Sequence, residues 1–133
     1  MRLRRSRIET FYHRKRIVEK DSEGGTRERY GAASPIQGES WPASGKTQAL
    51  QYGQKLSYIR NVRLSDSYQI KSDDKGRNVY VFENGAEIQE LDGMCVFVPE
   101  DMEPDYKIVA IKPYQHLLLE VESCECKWYR RSG

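Results

Sequence analysis

The segment Ser44-Gly45-Lys46-Thr47 contains the residue types with which nucleotide-binding loops hold phosphate groups. Such a loop would need its first glycine at position 40, and it joins a parallel strand to a long helix. Position 40 is Ser40, and Pro42 lacks one of the backbone amides that the loop would use. We therefore interpret the segment as a turn in which Ser44 caps a short helix over residues 47–52. We expect Gly53 to end this helix in the left-handed conformation, with a positive φ.

Carboxylate and imidazole groups are present but show no catalytic pattern. Several acidic residues lie at predicted turns, where carboxylates mostly cap backbone amides or face solvent. These residues are Asp92, Asp101, Glu103 and Asp105. His13 and His116 have no obvious carboxylate partner in the sequence, and no nucleophile stands in an arrangement with a base and an acid. We expect a protein that is not an enzyme and has no catalytic residues.

The three cysteines do not form a ligand set of a known kind. Cys95 alternates with apolar residues and is typical of a small buried side chain. Cys124-Glu125-Cys126 has neither zinc-ribbon nor redox spacing, and no second Cys or His pair stands nearby. We expect no metal ion, no cofactor and three reduced thiols.

Charge is distributed unevenly along the chain. The net charge is +5 over residues 1–31, +3 over 32–82 and −9 over 83–126, while the last seven residues carry +3. The basic N-terminal stretch indicates contact with phosphate groups or with an acidic partner, and the acidic stretch over 83–126 indicates contact with a basic partner. The alternative is solvated charge that keeps the protein soluble.

Two terminal clusters are candidate contact sites. The candidates for contact with DNA or a neighbouring subunit are Arg2, Arg4, Arg5 and Arg7. A second cluster is rich in Trp, Tyr and Arg, the residue types enriched at interface hot spots. These candidates for docking onto another chain are Trp128, Tyr129, Arg130 and Arg131.

Three successive strands are predicted over residues 91–98, 105–111 and 116–122. Each is rich in apolar and β-branched residues and is bounded by Gly, Pro or Asp. The middle strand is apolar on both faces, which is typical of a strand inside a sheet or barrel wall. We expect this meander to form the densest part of the core.

The remaining elements are short and extended. We predict a hairpin around Gly24-Gly25, an irregular or extended stretch over 31–40, a strand over 56–64 and a second hairpin around residues 73–76. The fold class that follows is mostly β: a small antiparallel β-barrel or sandwich with one short helix and extended termini.

The predicted organisation is one domain with two arms. Residues 1–20 form a basic arm and the first strand, 21–122 the β-barrel domain and 123–133 a C-terminal tail. Within the barrel domain we place a loop or short helix near 41–55 and an extra hairpin near 64–85. No apolar run reaches the length of a membrane span, and no secretory leader is present, so we expect neither membrane insertion nor export by a standard signal.

The pattern resembles the head-closure or head–tail connector (stopper) proteins of long-tailed double-stranded DNA bacteriophages. The likeness spans about residues 21–122 and is structural in nature. The segments that carry it are Gly24-Gly25 with Tyr30, the stretch from Pro35 to Gly45, Tyr52-Gly53, Asp92-Gly93, Pro104 to Val109, and Leu117 to Val121. The chain departs from the usual pattern in its extra hairpin, its longer basic N-terminus and its tail after Ser123.

The resemblance implies a structural virion protein of the phage neck, assembled in the cytoplasm of the bacterial host. Its partners would be copies of itself in a ring, the portal and adaptor above, tail proteins below, and packaged DNA in the lumen. A loop over 41–55 could project into that lumen, and the alternative is a short helix that lies on the barrel. The residues of this candidate loop are Trp41, Ser44, Gly45, Lys46, Gln48 and Gln51. Adaptor, tail-terminator and monomeric nucleic-acid-binding barrel remain as alternatives.

Overall fold

The computed structural model describes residues 8–20, 22–114 and 118–126. The strands of the barrel are β1 (Glu9–Lys20), β2 (Thr26–Pro42), β3 (Ile59–Leu64), β7 (Gly93–Cys95), β8 (Tyr106–Tyr114) and β9 (Leu118–Glu125). A small sheet contains β4 (Tyr68–Ser72), β5 (Asn78–Phe82) and β6 (Glu87–Ile88). The helical elements are α1 (Lys46–Tyr52) and a 3₁₀ helix (Gly53–Tyr58).

Six antiparallel strands close into a barrel in the order β1-β2-β3-β9-β8-β7. The predicted mostly-β fold class is confirmed. Of the two predicted alternatives, a barrel or a sandwich, the closed sheet shows that the fold is a barrel. Closure also removes the unpaired edges that a six-stranded sheet would otherwise expose. The central position of β8 in the predicted meander is confirmed, since it lies between β7 and β9.

The barrel interior is filled by alternating apolar side chains of neighbouring strands. Val62 and Leu64 of β3 are directly opposite Val121 and Leu119 of β9, and all four are inaccessible to solvent. This follows from the period of two along a strand, which sends every second side chain into the core. The residues between them face outward, where they are available for contacts with the loops.

The small sheet, which contains the predicted extra hairpin, packs on the barrel and extends its core. Tyr80, Phe82, Ala86 and Ile88 are buried and belong to the same apolar cluster as the barrel interior. The hairpin is confirmed as β4 and β5, and β6 adds a short third strand on the other side of β5. The small sheet is therefore part of the core.

Several predicted boundaries were wrong. Residues 31–40 were predicted as irregular or extended, and the extended alternative is confirmed: they belong to the continuous strand β2, because they pair with β1 and with β3. β3 begins at Ile59 rather than at 56, because the 3₁₀ helix takes the preceding residues. β7 covers only 93–95, and β9 continues to Glu125, into the region assigned to a tail.

A partly buried ion-pair cluster holds the long β1–β2 hairpin against β8. Both carboxylate oxygens of Glu28 lie 2.9 Å from the Lys107 ammonium, which is largely buried. Arg16 and Tyr30 also donate hydrogen bonds to this carboxylate. Desolvation alone would raise the pKa of Glu28, but these hydrogen bonds outweigh it and lower the pKa from 4.5 to about 2.

The Glu28 cluster predicts a pH-dependent contribution to stability. A lowered folded-state pKa stabilises the fold above the unfolded pKa of 4.5, and the contribution is lost as the pH falls toward 2. Because Glu28 remains partly exposed, we expect E28Q to lose only about 1–2 kcal/mol of unfolding free energy at neutral pH. Urea unfolding at several pH values should show the loss vanishing near pH 2.

The matched control is E19Q. Glu19 pairs with Arg29 on the same hairpin, but both side chains are about half exposed. We expect E19Q to change stability by less than about 0.5 kcal/mol at any pH. Equal losses for the two variants would contradict the assignment.

Candidate interaction surface

One end of the barrel carries both described ends of the chain. Because the strands are antiparallel, the starts of β1, β3 and β8 lie at the same end as the ends of β2, β7 and β9. We call it the terminal end. It carries two long connections: the arm segment, residues 43–58, and the acidic loop, residues 96–105. The other end carries the β1–β2 turn and the connections to the small sheet.

The arm segment projects from a closed base. At that base Ala43 N donates to Ile59 O at 3.1 Å, directly beyond the last pair of the β2–β3 ladder. The segment contains α1 and the 3₁₀ helix, none of whose residues is fully buried, and Leu50 is 83% exposed. It contains Lys46 and Lys55 and no carboxylate. It is therefore an exposed, cationic projection on a rigid barrel.

A polar contact fixes the arm segment to the outer barrel wall. The Gln48 amide donates to Asn61 Oδ1 and to Glu122 Oε2, both at 2.7 Å. Asn61 and Glu122 are directly opposite each other on β3 and β9, and both are buried. Burial, followed by the charge of Glu122 and a hydrogen bond to it, raises the pKa of Tyr52. Lys112 Nζ, at 3.0 Å from Glu122, supplies a compensating charge.

The residues predicted for a lumenal loop have different environments. Trp41 belongs to β2 and is partly buried, with the Arg63 guanidinium 5.1 Å from its ring centroid. Gln48 is the anchor just described. The exposed members are Ser44, Gly45, Lys46 and Gln51. The fold thus places four of the six residues where another molecule can reach them.

The predicted helix cap was wrong in detail. The residue before α1 is Gly45, with φ of +92°, and no side chain caps the helix there. Ser44 instead donates its backbone N–H to Gln48 Oε1 at 3.2 Å. Gly53 does follow the helix with a positive φ of +57°, as predicted, but a 3₁₀ helix continues from it.

The acidic loop is held in place by Asp105. Its carboxylate accepts the backbone N–H of Val96 at 2.8 Å and that of Phe97 at 2.9 Å. These bonds end β7 early, since they take the amides that a longer strand would use. The exposed acidic residues of the loop are Glu100, Asp101 and Glu103.

Two large apolar side chains of the acidic loop face solvent: Phe97 is 66% exposed and Met102 52% exposed. The Phe97 ring meets the Tyr106 ring edge-on at 6.0 Å, and the Arg60 guanidinium lies 5.0 Å from its centroid. The ring is thus positioned by neighbours while one side remains open. Exposed aromatic side chains held in this way are typical of binding hot spots.

His13 and Asp92 form a buried pair that was not predicted from the sequence. His13 Nε2 lies 2.7 Å from Asp92 Oδ2, and each residue is 2% exposed. The backbone amides of Arg16 and Gln89 donate to the same carboxylate. The turn assigned to Asp92 is confirmed, but its carboxylate points into the protein. No local signal could have found the pair, because 79 residues separate its members.

A cavity of about 670 Å³ lies between the barrel and the small sheet. Its basic lining includes Arg16, Lys75 and Arg77. Arg16 is paired with Glu28, and Arg77 lies 3.6 Å from the Asp73 carboxylate. Two of these three cations are therefore already compensated.

All three thiols are buried. Burial raises the pKa of the Cys95 and Cys124 thiols, which keeps them protonated at neutral pH. In residues 8–20, 22–114 and 118–126, no three His, Cys, Asp or Glu side chains form a group that could hold a metal ion. The described helices include none long and apolar enough to cross a membrane.

The terminal clusters lie outside the described residues. These are Arg2, Arg4, Arg5, Arg7, Trp128, Tyr129, Arg130 and Arg131. The described residues that flank these clusters in the sequence, Ile8 and Cys126, adjoin the terminal end, since β1 starts and β9 ends there.

Comparisons with protein-family models, curated proteins and solved structures found no significant match. The terminal end is therefore the feature of the molecule from which a function can be inferred. Its two connections differ in charge: one has lysines and no carboxylate, the other has exposed carboxylates and exposed apolar side chains.

Proposed function

We propose that this chain is a ring-forming subunit of the neck of a long-tailed double-stranded DNA bacteriophage, in the head-closure or head–tail connector class. In this role it is a structural protein rather than an enzyme. The ring docks below the portal and adaptor, helps to retain packaged DNA and offers a surface for tail attachment. The alternative roles within the same neck are those of an adaptor subunit and of a tail-terminator subunit.

The observation that carries the proposal is the arm segment on its closed barrel. A ring that retains DNA needs a rigid frame and a projection that can narrow a channel without binding DNA irreversibly. The barrel supplies the frame, and the segment supplies a projection free of carboxylates, which would repel phosphates. Gln48 fixes the base of α1, while Lys46, Leu50 and Gln51 are exposed.

Charge along the chain also supports a ring. Heterologous contacts let each subunit present a basic surface to one neighbour and an acidic surface to the other. The chain offers the basic residues 1–31 and the acidic residues 83–126 for such contacts.

Shortening the arm segment tests the proposal. A two-residue turn can replace residues 45–57, because the hydrogen bond between Ala43 and Ile59 already brings the two ends together. We expect ring assembly to persist and packaged DNA to leak from heads that lack tails. Nuclease sensitivity of the DNA in purified tailless heads provides the measurement.

A charge variant separates a steric from an electrostatic role. K46Q/K55Q keeps the length of the segment and removes both of its charges, and K71Q/K75Q on the small sheet is the matched control. Leakage in the shortened variant but not in K46Q/K55Q indicates a steric barrier. Normal DNA retention after shortening counts against the proposal.

A monomeric nucleic-acid-binding barrel is the second candidate, favoured by the exposed cationic segment on a closed barrel. Native mass spectrometry with portal–adaptor complexes separates the two. Stoichiometric addition of the chain to those complexes supports the neck subunit. A chain that stays monomeric at every salt concentration, but loses DNA affinity steeply as salt rises, supports the monomeric barrel.

A further inference from the structure

We propose that residues 127–131 dock on the acidic loop of their own chain, with Trp128 covering Phe97 and Met102. This contact is independent of ring assembly and of the phage assignment. In this contact the apolar surface of the acidic loop is covered by the C-terminal segment of the same chain.

The acidic loop has an exposed apolar surface that another segment can cover. The large exposed apolar side chains of the described residues are Val18, Leu50, Ile70, Phe97 and Met102. Only Phe97 and Met102 share one loop, and that loop is made rigid by Asp105 and by Arg14, which donates to Met102 O at 2.9 Å. A rigid surface costs little conformational entropy when it binds.

The position of the tail is the second part. Cys126 N donates to Asp105 O at 2.9 Å, and Phe97 N donates to the carboxylate of the same aspartate at 2.9 Å. The last described residue of the chain and the backbone of Phe97 are thus both bonded to Asp105. Trp128 is only two residues beyond Cys126 in the sequence, so the tether between it and the acidic loop is short.

Chemical complementarity is the third part. Residues 127–131 contain three cations and two aromatic rings and no carboxylate. The loop contains exposed carboxylates at 100, 101 and 103 next to an aromatic ring and a methionine, which pack well on Trp or Tyr. The short tether also gives the tail a millimolar effective concentration at its own loop, so the contact forms ahead of one with a second copy.

The contact has a consequence for partner binding. If the tail covers the loop, the hot-spot cluster predicted at 128–131 is engaged in the free subunit. A docking partner then binds a composite of tail and loop, or displaces the tail from it.

Tryptophan fluorescence tests the contact. The chain contains two tryptophans, so W41F leaves Trp128 as the sole emitter. We expect Trp128 emission at shorter wavelength than in a peptide of residues 124–133, with several-fold weaker quenching by acrylamide. Solvent-like emission of Trp128 in the W41F protein would overturn the proposal.

Two pairs of variants identify the surface. In the W41F background, F97S should make the emission solvent-like, and I70S, an exposed apolar residue of the small sheet, should leave it unchanged. E100Q/D101N/E103Q should weaken the contact and reduce its salt dependence. D74N/E83Q/E87Q removes the same charge from exposed positions in or next to the small sheet and should have no effect.

The same samples show whether the acidic loop is covered by the tail of its own chain or by a second copy of the protein. An emission spectrum that is independent of protein concentration, in a protein that sediments as a monomer, identifies docking within one chain. A shift that disappears on dilution together with a dimer identifies a second copy and overturns the proposal. An F97S spectrum identical to that of the parent also overturns it, because Trp128 would then pack elsewhere.

Discussion

Replacing Asp92 with alanine should lower the free energy of unfolding by about 3–5 kcal/mol, because it breaks a buried charged network. The carboxylate holds His13 and the amides of Arg16 and Gln89, and it is 2% exposed. Removal leaves a buried imidazole and two amide donors to find other partners or water. Urea unfolding followed by circular dichroism provides the measurement.

An isosteric control separates hydrogen bonding from volume. D92N keeps one acceptor oxygen and the shape of the side chain, so we expect a loss smaller than that of D92A. D74A, which removes an exposed carboxylate, should stay within about 0.5 kcal/mol of the parent. A D92A protein as stable as D74A would show that the network contributes nothing.

A G38A variant should lose about 2–3 kcal/mol, because the added methyl group has no room. A Cβ on Gly38 would lie 2.5 Å from the backbone oxygen of Arg63 and 3.1 Å from Leu64 Cδ2. Gly38 pairs with Leu64 in the β2–β3 ladder, so relief of the clash means separating two strands of the closed barrel. Thermal unfolding of the purified variant checks the loss.

Gly31, on the same strand, is the matched control. A Cβ there would meet Ile17 Cδ1 at 3.4 Å, an ordinary contact, and G31A should change stability by less than about 0.5 kcal/mol. Comparable losses in G31A and G38A would indicate a general intolerance of β2 to alanine rather than a clash at Gly38.

The local pattern of the sequence was enough to predict the class of fold. The hairpins predicted around Gly24-Gly25 and around residues 73–76 were found, because apolar alternation and turn residues influence the backbone within a few positions. The short helix and the positive φ of Gly53 were found for the same reason. The missed boundaries occur where a distant partner decides the outcome, as in β9, which continues to Glu125 because its last residues pair with β8.

The candidate surface was only partly predictable. The arm segment was found from its composition, because an exposed projection needs few apolar residues. The role of Asp105 was missed, because a carboxylate at a turn does not reveal which amides it will accept. Phe97 was assigned to a strand, and its exposure follows from the early end of β7.

The sequence alone determined the class of fold, the two hairpins, the short helix and the uneven charge, because each depends on neighbouring residues. The tertiary structure decided that β1 pairs with β7 and β3 with β9, which closes the barrel. Closure brought His13 to Asp92, and it gathered the arm segment, the acidic loop and both described chain ends at one end of the barrel. These features depend on contacts between residues far apart in the chain, which only the packing of the whole core selects.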